Sequence, residues 1–148
     1  MPTAPESSRA EPHLFRAPDG ELAITIHSPR LIATAVRGHF GPELTAAFVS
    51  AFDRWIAGGG DRLNAFHDWD AMTGYELQAR IALTKWTVQH RRRFEAIHFL
   101  LTSPIVRAGV TIADFALGRF MTPHASRAAF DAEFRKKVAT CGSPGTRP

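Results

Sequence analysis

Cysteine is almost missing from this 148-residue chain: Cys141 stands alone, near the end, beside Gly142 and Pro144. A single thiol closes no internal disulfide and builds no cysteine-rich zinc site, so Cys141 is read as a free surface thiol in a tail. No apolar run approaches the ~20 residues needed to span a bilayer. The opening stretch, Met1-Pro2-Thr3-Ala4-Pro5-Glu6-Ser7-Ser8, lacks the basic start and apolar core of a signal peptide. The expected location is therefore the cytoplasm. Charge of one sign is also scarce, with 18 Lys and Arg against 14 Asp and Glu, a net of +4 with histidines neutral. The pI near 10.0 rests on that small excess and does not by itself call for nucleic acid. There is no internal repeat, and no Gly-x-Ser-x-Gly, His-Glu-x-x-His or P-loop pattern.

What is present is ordinary globular composition, 45% hydrophobic and 22% charged. A chain of this length buries roughly two-thirds of its unfolded surface, enough for a core without staples. One domain is expected over residues 14–140, between flexible tails at 1–13 and 141–148. Leu22–Ile26 and Leu31–Val36 read as two strands joined at Ser28-Pro29-Arg30, an antiparallel pair. Gly38-His39-Phe40-Gly41 breaks the second. Pro42 suits a first helical turn, and Leu44, Phe48, Ala51, Phe52 and Trp55 recur at helical spacing up to the Gly58-Gly59-Gly60 stop. Those glycines follow a helix, so they read as a cap and not as a phosphate cradle.

Strands and helices then alternate. Leu63–His67 reads as a strand ending at Asp68-Trp69-Asp70. A helix follows from about Gly74 to Arg92, with Leu77, Ile81, Thr84 and Val88 as its apolar side. Ala96–Leu101 is an apolar strand, Pro104–Leu117 a helix opened by Ser103, Arg119–Thr122 a short strand, and Ser126–Ala139 a helix with Phe130, Phe134 and Val138 on one stripe. The order ββαβαβαβα predicts an α/β domain with a five-stranded mixed sheet and four helices.

This order, with Phe66-His67-Asp68-Trp69-Asp70-Ala71-Met72-Thr73-Gly74-Tyr75 and Ala108-Gly109-Val110-Thr111-Ile112-Ala113-Asp114-Phe115-Ala116-Leu117-Gly118, resembles the STAS superfamily, and within it the bacterial SpoIIAA-like, or STAS/SEC14-like, branch. The resemblance covers about Leu22 to Val138. It implies a STAS-like single domain, bacterial, with a regulatory role through protein partners, as in anti-sigma-factor antagonists. It also implies a switch by phosphorylation of a hydroxyl at the start of the helix after the third strand. Aligned on the hydroxyl-glycine pair, that residue is Thr73, although Asp70-Ala71-Met72-Thr73-Gly74 departs from the family's Asp-Ser-Ser-Gly-like core.

Other residues are candidates on their own chemistry. Asp68 and Asp70 leave the carboxyl end of a strand, where ligands collect in open α/β sheets. The pair either holds Mg²⁺ or closes a turn and caps the next helix. It is also similar to the Asp-x-Asp of haloacid-dehalogenase-type phosphatases, but their lysine and later acidic motif are not evident. His67 and His98 both lie on expected parallel strands and join Asp68 and Asp70 as a candidate ligand or ion site, against the plainer reading of structural histidines. No metal and no cofactor is called for. Arg91, Arg92 and Arg93 either face an anion, on an acidic protein, a phosphate or a membrane surface, or complement a helix C-terminus. From Arg80 to Arg107 only Glu95 opposes six basic residues, and no interleaved aromatics point to nucleic acid.

The third helix has little polar face. Val106, Ile112 and Phe115 mark a candidate homodimer interface, or one wall of an apolar pocket, unless another part of the chain covers them. The expected function is a non-enzymatic regulatory or protein-interaction domain. Two alternatives stand beside it: a binder of a small molecule or lipid in an apolar pocket beside the third helix, and a Mg²⁺-dependent phosphatase using Asp68 and Asp70.

Overall fold

Pro18 and Asp19 form a two-residue turn that folds strand β1 (His13–Ala17) back on β2 (Gly20–Ser28), with Ala17 opposite Gly20. The turn is locked onto β3 (Leu31–Phe40): the His39 N–H donates to the Asp19 carbonyl at 2.9 Å. Close packing there demands glycine. Gly38 has φ +75°, and a Cβ on it would meet the Asp19 oxygen at 2.5 Å. β2 and β3 pair antiparallel through the Pro29-Arg30 turn, where the Arg30 N–H donates to Ser28 Oγ.

The structure, a computed structural model, describes residues 10–58, 60–116, 118 and 120–141. Helix α1 (Pro42–Gly58) leads to β4 (Leu63–Tyr75), then α2 (Leu77–His90), a 3₁₀ turn at Arg91–Arg93, β5 (Phe94–Leu100), α3 (Pro104–Ala116), β6 (Met121–His124) and α4 (Arg127–Cys141). The six strands lie in sequence order, with β3 to β6 parallel. Each strand–helix–strand crossover steps one place in the same direction. Crossovers of one hand therefore stack α1, α2 and α3 on one face.

Alternation along the strands divides the core accordingly. Ala65, Ile97, Phe99 and Leu101 face the three helices, with Phe48, Phe52, Trp55, Trp86, Val106 and Val110 packed above them. Phe66 and Leu100 face the other way and meet Phe130 of α4, with Leu31. α4 is capped by Ser126, whose Oγ accepts from the Ala129 N–H.

Among the described residues the mixed sheet and four helices are as expected, but there are six strands, not five. The extra one is β1. It is a five-residue edge strand in which Phe15 and Ala17 turn toward the core and Leu14 and Arg16 away from it, an alternation too short to stand out in the sequence. The elements reach one residue beyond the expected domain limits at each end. His13 pairs with Ile24, and Cys141 closes α4 beneath Asn64, whose Nδ2 donates to its Sγ at 3.7 Å.

Two strands are longer than their sequence patterns. β3 runs through Gly38 to Phe40, and β4 runs through Thr73 to Tyr75, because each supplies the other with a partner: Arg37 pairs with Ala71 and Phe40 with Tyr75. β6 begins two residues later than expected, after Phe120. In α2 the predicted apolar side is the wrong one. Leu77, Ile81 and Val88 are exposed, while Ala79 and Trp86 are buried and Leu83 packs on the core.

Candidate functional site

Asp68 and Asp70 project from β4 on the α4 side of the sheet. Arg127, the first residue of α4, reaches both. Its Nη1 donates to Asp68 Oδ2 at 3.0 Å, and its Nη2 to Asp68 Oδ1 at 3.3 Å and Asp70 Oδ2 at 3.4 Å. Thr102 donates its hydroxyl to Asp70 Oδ1, and the Asp70 N–H donates to Asp68 Oδ1. All four carboxylate oxygens thus accept a hydrogen bond. The Asp68 carboxylate in turn holds the Arg127 guanidinium pKa above its ordinary value.

The histidines do not join this pair. His67 points to the opposite face, fully buried among Phe48, Phe52 and Phe99, with Nδ1 2.7 Å from the Thr34 hydroxyl. Burial, then the nearby His98, pulls its pKa down to about 3. His98 shares the α4 face with the carboxylates, but its Nδ1 sits 2.9 Å from His124 Nε2 and its ring stacks on Phe66. Burial, then His124, lowers its pKa to about 4. Both rings are neutral at pH 7. Among the described residues no three His, Cys, Asp or Glu side chains gather as a metal site.

The arginine run is divided. Arg93 is tied to the end of α1, donating to the Ile56 carbonyl at 2.8 Å and the Gly60 carbonyl at 3.0 Å. Arg91 lies over the Phe120 ring, 5.5 Å from its centre. Arg92 is exposed. The three do not form one anion-facing surface.

Thr73 is exposed, but it sits in β4, four residues before α2 begins. It does not start a helix, and the free N–H groups that would receive a phosphate there are elsewhere. In α3, Val106 is 1% exposed and belongs to the core, so it is not an interface residue. Ile112 is exposed, as is Ile105. The side chain of Phe115 lies outside the described residues.

Between the sheet, α2 and α3 lies an aromatic-floored cavity of about 80 Å³. Trp69, Met72, His67 and Phe99 line it from the sheet, Ala79, Leu83 and Trp86 from α2, and Val106 and Val110 from α3. Tyr75 closes one side against Gly109, where a Cβ would meet its hydroxyl oxygen at 2.3 Å.

Sequence reasoning missed Arg127 and Thr102, which meet the carboxylates from distant elements. It also missed Trp69, whose place beneath the helices was legible only from the alternation that turns Asp68 and Asp70 the other way. No helix of the described residues is long and apolar enough to cross a membrane.

No protein-family model matches the chain, and no curated protein does. Solved structures do. A protein of the DUF3478 family with a SpoIIAA-like fold, from Shewanella loihica PV-4, superposes with a TM-score of 0.57 at 12% identity, over 89% of this chain and 98% of that one. An anti-sigma factor antagonist from Mycobacterium paratuberculosis superposes with a TM-score of 0.58 at 13% identity, over 82% of this chain and 99% of that one. The chain has the SpoIIAA-like fold that its order of strands and helices resembles.

Proposed function

We propose that this chain is a non-enzymatic STAS-type regulatory domain that works by docking a protein partner. The observation that carries this reading is the state of the groups with reactive potential. The Asp68 and Asp70 oxygens are all engaged by Arg127, Thr102 and the backbone, and the two buried histidines are neutral and packed against rings. A cation at these carboxylates would have to displace the Arg127 guanidinium that bridges them, which weighs against the phosphatase reading. The likeness to an anti-sigma factor antagonist supports a regulatory role.

The surface best suited to a partner is the outer side of α2. Leu77 is 55% exposed and Val88 53%, with Ile81 beside them, and Ile105 and Ile112 lie exposed on α3. Lys85 and Arg92 are exposed nearby. An apolar stripe with a basic rim fits a protein surface with an apolar centre and acidic edge. A second copy of the chain is the other occupant to be tested.

The experiment is Ile81→Glu with Val88→Glu, compared with wild type by native mass spectrometry after gentle purification from the cell of origin. Wild type is expected to carry a stoichiometric protein partner and the variant to lose it, at unchanged melting temperature. Equal retention by both, or a bare monomer in both, overturns the assignment of this face. A wild-type homodimer that the variant dissociates gives the face to self-association.

A further inference from the structure

Each of the three tryptophans is buried, but their indole N–H groups differ. Trp55 donates to the Ser28 carbonyl at 3.2 Å and Trp86 to Asp53 Oδ1 at 2.7 Å. Trp69 is 8% exposed, lines the cavity under α2 and α3, and its Nε1 has no hydrogen-bond partner among the described residues. A buried donor without an acceptor costs far more than a made bond gains, so such groups ordinarily find a partner.

We infer that this cavity is a binding site for a small uncharged molecule, a ring or short chain of apolar carbon carrying one acceptor oxygen that takes the Trp69 indole hydrogen. Three features fix that class. The lining is aromatic and aliphatic, which favours carbon over a polar ligand. Among the described residues Arg80 is the only permanently charged side chain in the lining, and it is half-exposed on α2 with Thr84 and Thr87, which places the opening along that helix. An ion moved past it to the aromatic floor would lose its water without a counter-charge. The volume sets the size. A cavity of about 150 Å³ accommodates benzene, and the space here is about 80 Å³. By that proportion the space as it stands holds about three non-hydrogen atoms, so a five-membered ring enters only where the space widens. α2 buries only Ala79 and Trp86, so it can yield to admit the molecule.

The test uses cyclopentanone as probe and methylcyclopentane as its shape-matched control without an acceptor. In a ¹H–¹⁵N spectrum the Trp69 indole signal, assigned by its loss in Trp69→Phe, is followed through each titration. Cyclopentanone is expected to move it saturably, and Trp69→Phe is expected to weaken the ketone about tenfold, one hydrogen bond's worth. The same variant is expected to bind methylcyclopentane as wild type does, which shows that its cavity is intact. Ala79→Leu places a larger side chain in the space and is expected to abolish binding of both while the protein remains folded. If the indole signal stays fixed while showing a cross-relaxation peak to water, the cavity belongs to water and the inference fails. It fails equally if ketone and hydrocarbon bind Trp69→Phe and wild type with the same ratio, or if Ala79→Leu binds both undiminished.

Discussion

Arg127 is held by two carboxylates at the surface, half-exposed itself, so its ion pairs stabilise little in water. Arg127→Ala is expected to cost about 1 kcal/mol or less, measured by urea denaturation, with no change in partner binding. The buried histidines matter more, and their effect has a definite sign. Folding depresses the His67 pKa to about 3 and the His98 pKa to about 4 from 6.5. Their contribution is fully present above pH 6.5 and is lost as pH falls toward those values, because the unfolded chain then binds protons that the fold excludes. Each contributes a slope of up to about 1.4 kcal/mol per pH unit in that window. Stability measured at pH 7, 5.5 and 4.5 should fall steadily. His67→Asn should remove one proton's share of the slope; an unchanged slope would mean that His67 is not buried neutral. Asp68, Asp70, His67 and His98 were all visible in the sequence as polar residues in an apolar strand region. Their separation into two faces follows from strand alternation. The arrival of Arg127 and His124 depends on α4 and β6 folding back, which no local pattern encodes.

At the scale of elements, α2 is the instructive case. Ala79, Leu83 and Trp86 sit at helical spacing about half a turn from Leu77, Ile81 and Val88, so the helix carries two apolar stripes. Periodicity alone favours the longer aliphatic one, and the fold buries the one with tryptophan because its indole reaches Asp53 on α1. Trp86→Ala should therefore cost about 3–5 kcal/mol, while Ile81→Glu should leave the thermal midpoint within about 2 °C, a surface change of a few tenths of a kcal/mol. Reversal of that order would restore the sequence reading. β4 makes a related point. Its last residues lack a strand's apolar alternation and are extended because β3 pairs with them, so Thr73 lies on a ladder and not at a helix start. Thr73→Glu is expected to leave partner binding within about fivefold, since a surface charge without a helix N-terminus to receive it gains less than 1 kcal/mol. The close approach of β3 to the Pro18-Asp19 turn is the opposite case, a feature set by one residue. Gly38→Ala forces a positive φ and a clash with Asp19, and should destabilise by about 2 kcal/mol or more.

Across the whole molecule, protection from solvent should follow position in the sheet. β3, β4 and β5 are paired on both sides for much of their length, whereas β1 and β6 are edges. Native-state hydrogen exchange should rank their amides in that order, with β1 and β6 opening at the lowest free energies. Slowest exchange in β1 would contradict the topology. β6 is a short edge strand with Pro123 opposite Phe99, a form that discourages further pairing. The strand order has a further consequence for synthesis. Every strand is laid beside the one made just before it, so each newly released segment meets a partner already outside the ribosome. No strand waits for a later neighbour, and only α4 must travel back, to close Phe130 over Phe66. A nascent chain stalled after β5 should already resist protease through β2, β3 and β4, while the face that α4 will cover stays open until α4 itself emerges.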